Sequence, residues 1–404
     1  MSHSSIAGFQ TTAIKGGRGV DSSHRPLVSP LVPSTTFVQQ EVGGEAEFAY
    51  SRVSNPTVSD LEKQLGALED AEAVCFASGL AAETALLLAV VKGGDHVVCG
   101  DAVYGGTVRL LGNVFAGLGV ETSFVDCADV EAVRGAIRAN TALILAETPA
   151  NPTLKLTDLA ALASIAKEAG VLYAVDNTFM TPVLQQPLDL GADITVYSTT
   201  KHIEGHSSAV GGAVLTRDAS LAERLRFIRK CTGAIQSPFG AWITGRGVKT
   251  LPIRIERQSQ HAQRVAEGLE ANEFVSAVYY PGLASFPQSE LAERQHNGLH
   301  GGVLAFEVVG GTEAAVRVLE AVELCVLAEH MGAVDTLITH PATMTHSDVP
   351  AEHRRKVGIS DGLIRLSVGL ESPADVLADL ERAIALAHEP QSVKGGGEQC
   401  AAVA

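Results

Sequence analysis

Val196-Tyr197-Ser198-Thr199-Thr200-Lys201-His202 decides how the chain is read: a short apolar strand, led in by Asp193-Ile194-Thr195, runs into hydroxyl residues and stops at one lysine. A lysine beside the end of a buried strand is costly unless it is paired, neutral or covalently used. Three readings are open. The lysine snorkels into water. Alternatively, Tyr197-x-x-x-Lys201 is the tyrosine and lysine pair of a short-chain dehydrogenase, or Lys201 is a Schiff-base lysine with Ser198 and Thr200 on the phosphate of an aldehyde cofactor.

Outward from this stretch the pattern is regular. Thr57–Leu68, Leu80–Val91 and Leu159–Ala169 carry helical periods, the last stopped by Gly170. Ala73–Ala77, His96–Cys99, Val120–Val125, Ala142–Leu145, Leu172–Val175, Ile194–Val196 and Ala213–Leu215 are short apolar strands. Such alternation predicts a mostly parallel sheet covered on both faces, with ligands beyond the carboxyl ends of its strands. Asp176, Thr200 and Lys201 fall at such ends.

Leu221–Lys230 predicts a helix, and a longer helical pattern from Phe239 to Glu270 contains Pro252, which should kink or divide it. Beyond it, strands at Val275–Tyr280, Gly302–Val309, Asp335–Ile338 and Leu363–Val368, with helices at Glu313–Val322 and Pro373–Ala387, form a smaller α/β unit. Ser372 is the expected N-cap of the last helix, with Asp375 near its exposed amides. Residues 1–48, with Pro26, Pro30 and Pro33, read as an irregular arm lying on its own domain or on a neighbouring subunit, and residues 389–404 read as a disordered tail.

Hydrophobic residues make up 46% of the chain, enough to fill two cores. The formal net charge of −16 repels an extended phosphate backbone, so no nucleic-acid partner is expected, although backbone amides can still bind a local anion. The six cysteines have no paired spacing and read as small core residues of a reducing compartment. No basic start with an apolar run and no stretch of about twenty apolar residues is seen, which predicts a soluble cytoplasmic protein with no membrane partner.

Several groups can carry chemistry. Ser78-Gly79-Leu80-Ala81-Ala82 joins a strand to a helix whose first amides could hold a phosphate; a plain tight connection is the bland alternative. Asp176 ends a buried strand and needs a partner, either a pyridinium nitrogen or an arginine or backbone amides. Tyr104 could stack on a flat ligand or simply pack. Arg365, in an apolar strand, means a buried ion pair or a bidentate carboxylate site. Neither Gly205–Gly212 nor Gly16–Gly19 has a dinucleotide fingerprint, which removes the dehydrogenase reading. His202–His206 and His340–His346 lack zinc-site spacing, and no Gly-x-Ser-x-Gly elbow is present.

Tyr50-Ser-Arg52 with Asn55-Pro-Thr57, Ser78-Gly-Leu-Ala-Ala82, Tyr104-Gly-Gly-Thr107, Glu147-Thr-Pro-Ala-Asn-Pro-Thr153, Val175-Asp-Asn-Thr178, Tyr197-Ser-Thr-Thr-Lys201, His340-Pro-Ala-Thr-Met-Thr-His346 and Gly362-Leu-Ile-Arg-Leu-Ser-Val-Gly369 belong together. From Ala49 to about Ala387 the chain resembles the Cys/Met-metabolism family of pyridoxal-phosphate enzymes, which includes cystathionine gamma-synthase and gamma-lyase. The resemblance implies an α/β protein of the PLP-dependent transferase fold (fold type I). Its large domain, with a mostly parallel seven-stranded sheet, would span residues 49–252 and bind the cofactor; a smaller C-terminal α/β domain would span 253–388.

The same resemblance assigns roles. Lys201 bonds to pyridoxal 5'-phosphate and later moves protons, Asp176 pairs with its ring nitrogen, and Tyr104 stacks on the ring. Ser78, Gly79, Leu80, Ser198 and Thr200 hold the phosphate, joined by Tyr50 and Arg52 from a neighbouring subunit of a homo-oligomer, a dimer of dimers. Arg365 and Asn151 hold the carboxylate of an amino-acid substrate, and Glu329 stands near its distal end. The implied chemistry is gamma-replacement or gamma-elimination on sulfur amino acids and activated homoserine; an O-acetylhomoserine sulfhydrylase is the enzymatic alternative. A catalytically silent binding or assembly protein is opposed by the retention of Lys201, Asp176 and Arg365. Gly106 departs from the cysteine usual in methionine gamma-lyases, His330-Met331-Gly332 stands where the family usually has Ser-Leu-Gly, and Ser208 replaces a frequent Asp. His330 is thus expected to narrow the substrate pocket or add a base to it.

Overall fold

The computed structural model describes residues 8–17, 26–44, 46–347 and 351–389. Residues 390–404 of the expected tail, Cys400 among them, lie outside the described residues. Seven strands form the larger sheet: β1 (Glu72–Phe76), β2 (His96–Gly100), β3 (Glu121–Val125), β4 (Thr141–Glu147), β5 (Leu172–Asp176), β6 (Ile194–Tyr197) and β7 (Gly212–Thr216). Their order is β1-β7-β6-β5-β4-β2-β3. Only β7 runs antiparallel to its neighbours; the other pairs are parallel. The sheet is buried on both faces, which is why its strands read as apolar runs and not as alternating ones. Along β1, Val74 and Phe76 pack with Leu86 and Leu225 on one face, whereas Cys75 packs with Leu61 and Leu65 on the other.

The smaller sheet contains β8 (Val275–Tyr279), β9 (Val303–Val308), β10 (Val326–Leu327), β11 (Leu337–Thr339) and β12 (Leu363–Ser367), in the order β10-β11-β12-β9-β8. The pattern from Phe239 is divided into helices Pro238–Val248 and Leu251–Glu270, with Pro252 in the first turn of the second, where its missing N–H costs nothing. Arg254 braces this junction: its guanidinium donates to the carbonyls of His202 (2.7 Å), Ile203 (3.1 Å) and Gly247 (2.9 Å). The turn that carries Lys201 is thereby tied to the helical connector.

Three expectations need correction, and one element was not expected. The arm is not irregular throughout, because Phe9–Lys15 is a helix whose Ala13 is buried in the main core. The strand expected at Asp335–Ile338 lies at Leu337–Thr339, where it can pair with β12. Ser372 stands at the N-cap, but its hydroxyl accepts no bond from the first turn. A π-helical turn, Leu110–Phe115, continues the short Gly105–Arg109 helix and left no sequence signal that we read. Among the described residues, no helix is long and apolar enough to cross a membrane.

Candidate active site

The ends of β4, β5 and β6, the start of helix Gly79–Val90 and strand β12 enclose a cavity of about 460 Å³. Ser78, Gly79, Leu80, Tyr104, Asn151, Asp176, Ser198, Thr200, Lys201, Glu329, His330 and Arg365 all line it, so one space gathers all but two of the residues singled out in the sequence. Those two are Tyr50 and Arg52, which do not line it. Instead, the Arg52 guanidinium lies 5.3 Å from the centre of the Tyr50 ring and donates to Lys230 O.

Lys201 leaves β6 in a tight turn, its amide donating to Ser198 O at 3.2 Å. Its Nζ lies 3.3 Å from His330 Nδ1. Burial, and secondarily the Arg365 guanidinium, lowers its pKa from the ordinary 10.5 to about 8, so a neutral amine is accessible near neutral pH. Tyr197 takes no part in the cavity. It faces the other side of the strand, where it donates to Glu69 and accepts from Asn177 Nδ2 at 2.9 Å. This is the geometric reason why Tyr197 and Lys201 are not a catalytic pair.

Register places two carboxylates side by side, since Glu147, the last residue of β4, pairs with Asp176, the last of β5. Asp176 accepts from the Thr178 amide at 2.9 Å, yet burial still raises its pKa. Glu147 is raised well above the carboxylate range, by burial first and Asp176 second, and it accepts from the Tyr104 amide at 2.7 Å. Glu83 is pushed up to about 8 by burial and then by Asp176, while the Thr107 hydroxyl donates to it at 2.7 Å. Three carboxyls on one buried wall cannot all ionise without a cation among them.

A protonated pyridine nitrogen is such a cation, and the rest of the wall fits the group that carries it. Ser78 caps the helix by accepting from Ala81 N at 3.1 Å, leaving the Gly79 and Leu80 amides as an anion cradle. A Cβ on Gly79 would stand 2.8 Å from the Ser198 Cβ, so only glycine lets these elements meet. A Cβ on Gly106 would collide with the Tyr104 ring.

On the opposite wall Arg365 donates to Asn151 Oδ1 at 3.1 Å and to the His330 carbonyl at 2.9 Å, while its Nε is buried without a partner. Burial lowers the guanidinium to about 10, against the pull of Glu329, and it remains a cation. Lining the cavity as a planar fork, the guanidinium suits a carboxylate. Of the histidines in His202–His206 and His340–His346, His206 Nδ1 lies 2.8 Å from the Glu204 carbonyl, whereas both ring nitrogens of His202 are buried without a hydrogen-bond partner. Glu204 Oε2 accepts from the His206 and Ser208 amides, and His340 pairs with Thr343 and Asp361 O. The reading missed Glu83 as a site residue, although a carboxylate in the otherwise apolar helix GLAAETALLLAV was a visible signal. Arg109 also lines the cavity, as does Met344 of the His340–His346 motif, and neither was assigned a role from sequence.

An enclosed lysine, a carboxylate wall in want of a cation and an anion cradle define a fold-type I enzyme that depends on pyridoxal phosphate. The chain belongs to the family described as Cys/Met metabolism PLP-dependent enzyme, whose pattern matches residues 10–385. It is 45% identical to a cystathionine gamma-lyase of Bacillus subtilis over 376 residues, covering 93% of this chain and 98% of that one. A cystathionine gamma-synthase of Mycobacterium bovis is 44% identical over 384 residues, 95% and 98% of the two chains. The crystal structure of metB from Corynebacterium glutamicum superposes with a TM-score of 0.92 at 42% identity, over 95% of this chain and 99% of that one.

Proposed function

We propose that this chain catalyses gamma-elimination or gamma-replacement on cystathionine and related sulfur amino acids or activated homoserines. The observation that carries the reading is the convergence of Lys201, Asp176 and Arg365 on one cavity, which provides for cofactor and amino acid together. Similarity to both a gamma-lyase and a gamma-synthase supports the substrate class.

Bound pyridoxal phosphate supplies an electron sink for carbanions at the substrate's α and β carbons. Lys201 is the residue that would hold it, and its Nζ, when free, would take the α proton of the substrate, a task suited to an amine with a pKa of about 8. Asp176 would favour a positive charge at its ring nitrogen. The Gly79 and Leu80 amides with Ser78, Ser198 and Thr200 would hold the phosphate, and the Tyr104 ring would stack on the cofactor. Arg365 and Asn151 orient the substrate carboxylate, and Glu329, at the exposed rim, meets a distal ammonium.

Residues 49–252 are read as the cofactor-binding unit and 253–388 as the smaller domain. A homo-oligomer in the cytoplasm accords with Tyr50 and Arg52 standing outside their own cavity and with the bare Leu27, Val38 and Val42 of the arm. The test begins with colour. Purified protein should be yellow, and Lys201→Ala should abolish the visible absorbance and the turnover. Cystathionine, O-succinylhomoserine and O-acetylhomoserine, each with and without cysteine or sulfide, then locate the substrate; turnover of none would sink the proposal.

A further inference from the structure

His330 has two ring nitrogens in different positions. Nδ1 lies 3.3 Å from Lys201 Nζ, and Nε2 is buried in the cavity wall without a hydrogen-bond partner. The residue itself is pinned, because its carbonyl accepts from Arg365 Nη2 at 2.9 Å, the guanidinium that also reaches Asn151. The side chain is therefore held against the lysine in the wall of the cavity, with Nε2 covered in the cofactor-free structure. The charged and titratable groups that face it are Lys201 and His202 after β6, Arg365 on β12 and its own neighbour Glu329. Burial first, then Lys201 and Arg365, lower its pKa to about 4, which keeps the imidazole neutral. A neutral ring that accepts at Nδ1 carries its proton on Nε2.

We propose that His330 relays a proton from Lys201 to the departing group on the substrate's γ carbon. The proposal rests on the function given above. Lys201 is charged once it has taken a proton from the substrate's β carbon, whose C–H electron pair forms the Cβ–Cγ double bond as the γ substituent departs. It passes a proton from Nζ to Nδ1 as the Nε2 proton moves to the leaving sulfur, whose bond to Cγ breaks with the electron pair on sulfur. The lysine is left neutral, the thiol leaves uncharged, and the ring has only changed tautomer; exchange with water resets it. The proton lost from carbon is thus the one the thiolate needs. A carboxylate leaving group, as in an O-acyl homoserine, needs none, being a weak base at neutral pH.

That difference is the test, made on the cofactor-loaded full chain with His330→Gln and His330→Asn, which keep an acceptor but cannot relay. The relay predicts that both variants hold the cofactor absorbance and the rate of α-hydrogen exchange with solvent deuterium. Elimination from cystathionine should fall about 100-fold while elimination from O-acetylhomoserine stays within roughly threefold. Equal losses for both substrates, or a matching loss of α-hydrogen exchange, would mean that His330 only shapes the pocket. Unchanged cystathionine turnover would move the donor elsewhere, for instance to Tyr104. A second readout needs no turnover. With a saturating amino acid that lacks a γ leaving group, nitrogen-15 shifts of the His330 ring should show Nε2 protonated and Nδ1 bare; the opposite tautomer overturns the relay. A colourless or inactive wild-type protein would instead strike the proposed function itself.

Discussion

The guanidinium of Arg365, on β12 of the smaller sheet, donates to Oδ1 of Asn151, which follows β4 of the larger sheet, at 3.1 Å. The pair links the two sheets at the cavity wall and is the proposed site for the substrate carboxylate.

Replacing the planar fork by a point charge should therefore be expensive. Arg365→Lys keeps the cation but loses two-pronged geometry and the hold on Asn151, and kcat/KM should fall on the order of 100-fold, mostly through KM. Steady-state kinetics with cystathionine checks it; an unchanged KM would place the substrate carboxylate elsewhere.

Asp176→Asn removes the anion that would keep a ring nitrogen charged. Turnover should fall by about 100-fold or more, with an altered cofactor spectrum and weaker retention on dialysis.

The pH dependence follows from the lysine. Burial lowers Lys201 to about 8, so steps that need its free base should speed up as pH rises to about 8 and then level off. Arg365 is the second cause of that lowering, so Arg365→Gln should move the acid limb of α-hydrogen exchange upward in pH. A limb near the ordinary 10.5 in the wild type would show a solvated lysine.

Glu83 gives a stability prediction with the opposite pH trend. Its pKa, raised from 4.5 to about 8, means that the folded, cofactor-free protein binds a proton there that the unfolded chain has released. Stability from this group is present below pH 4.5 and declines as pH rises to about 8. Glu83→Gln, whose amide oxygen can still accept from Thr107, should match the wild type at pH 5 and melt about 2 °C higher at pH 8. Calorimetry at the two pH values decides it.

Much of this was legible because β5 is an apolar run ending at Asp176, and the short strand β6 runs on through hydroxyl residues to Lys201, so both marked their own positions. Pro252 likewise announced the division of the long helical pattern. The Glu147 and Asp176 pairing was not legible, since it depends on the register of two strands with a helix between them. The contact of His330 with Lys201 was hidden for a similar reason: it spans the two sheets and depends on how they meet, which no local period encodes. The helix at Phe9–Lys15 is short, and its packing rather than its propensity sustains it.

Arg254 finally bears on motion. Buried, and bonded to the carbonyls of His202, Ile203 and Gly247, it makes the catalytic turn and the end of helix Pro238–Val248 one mechanical piece. Because Arg254 stands on helix Leu251–Glu270, these bonds also lock the Lys249–Thr250 junction, so any swing of the smaller sheet would have to pivot beyond Arg254, while Arg365 and His330 travel with the moving side. The lysine would then act as a fixed post, with the substrate-gripping wall opening and shutting against it.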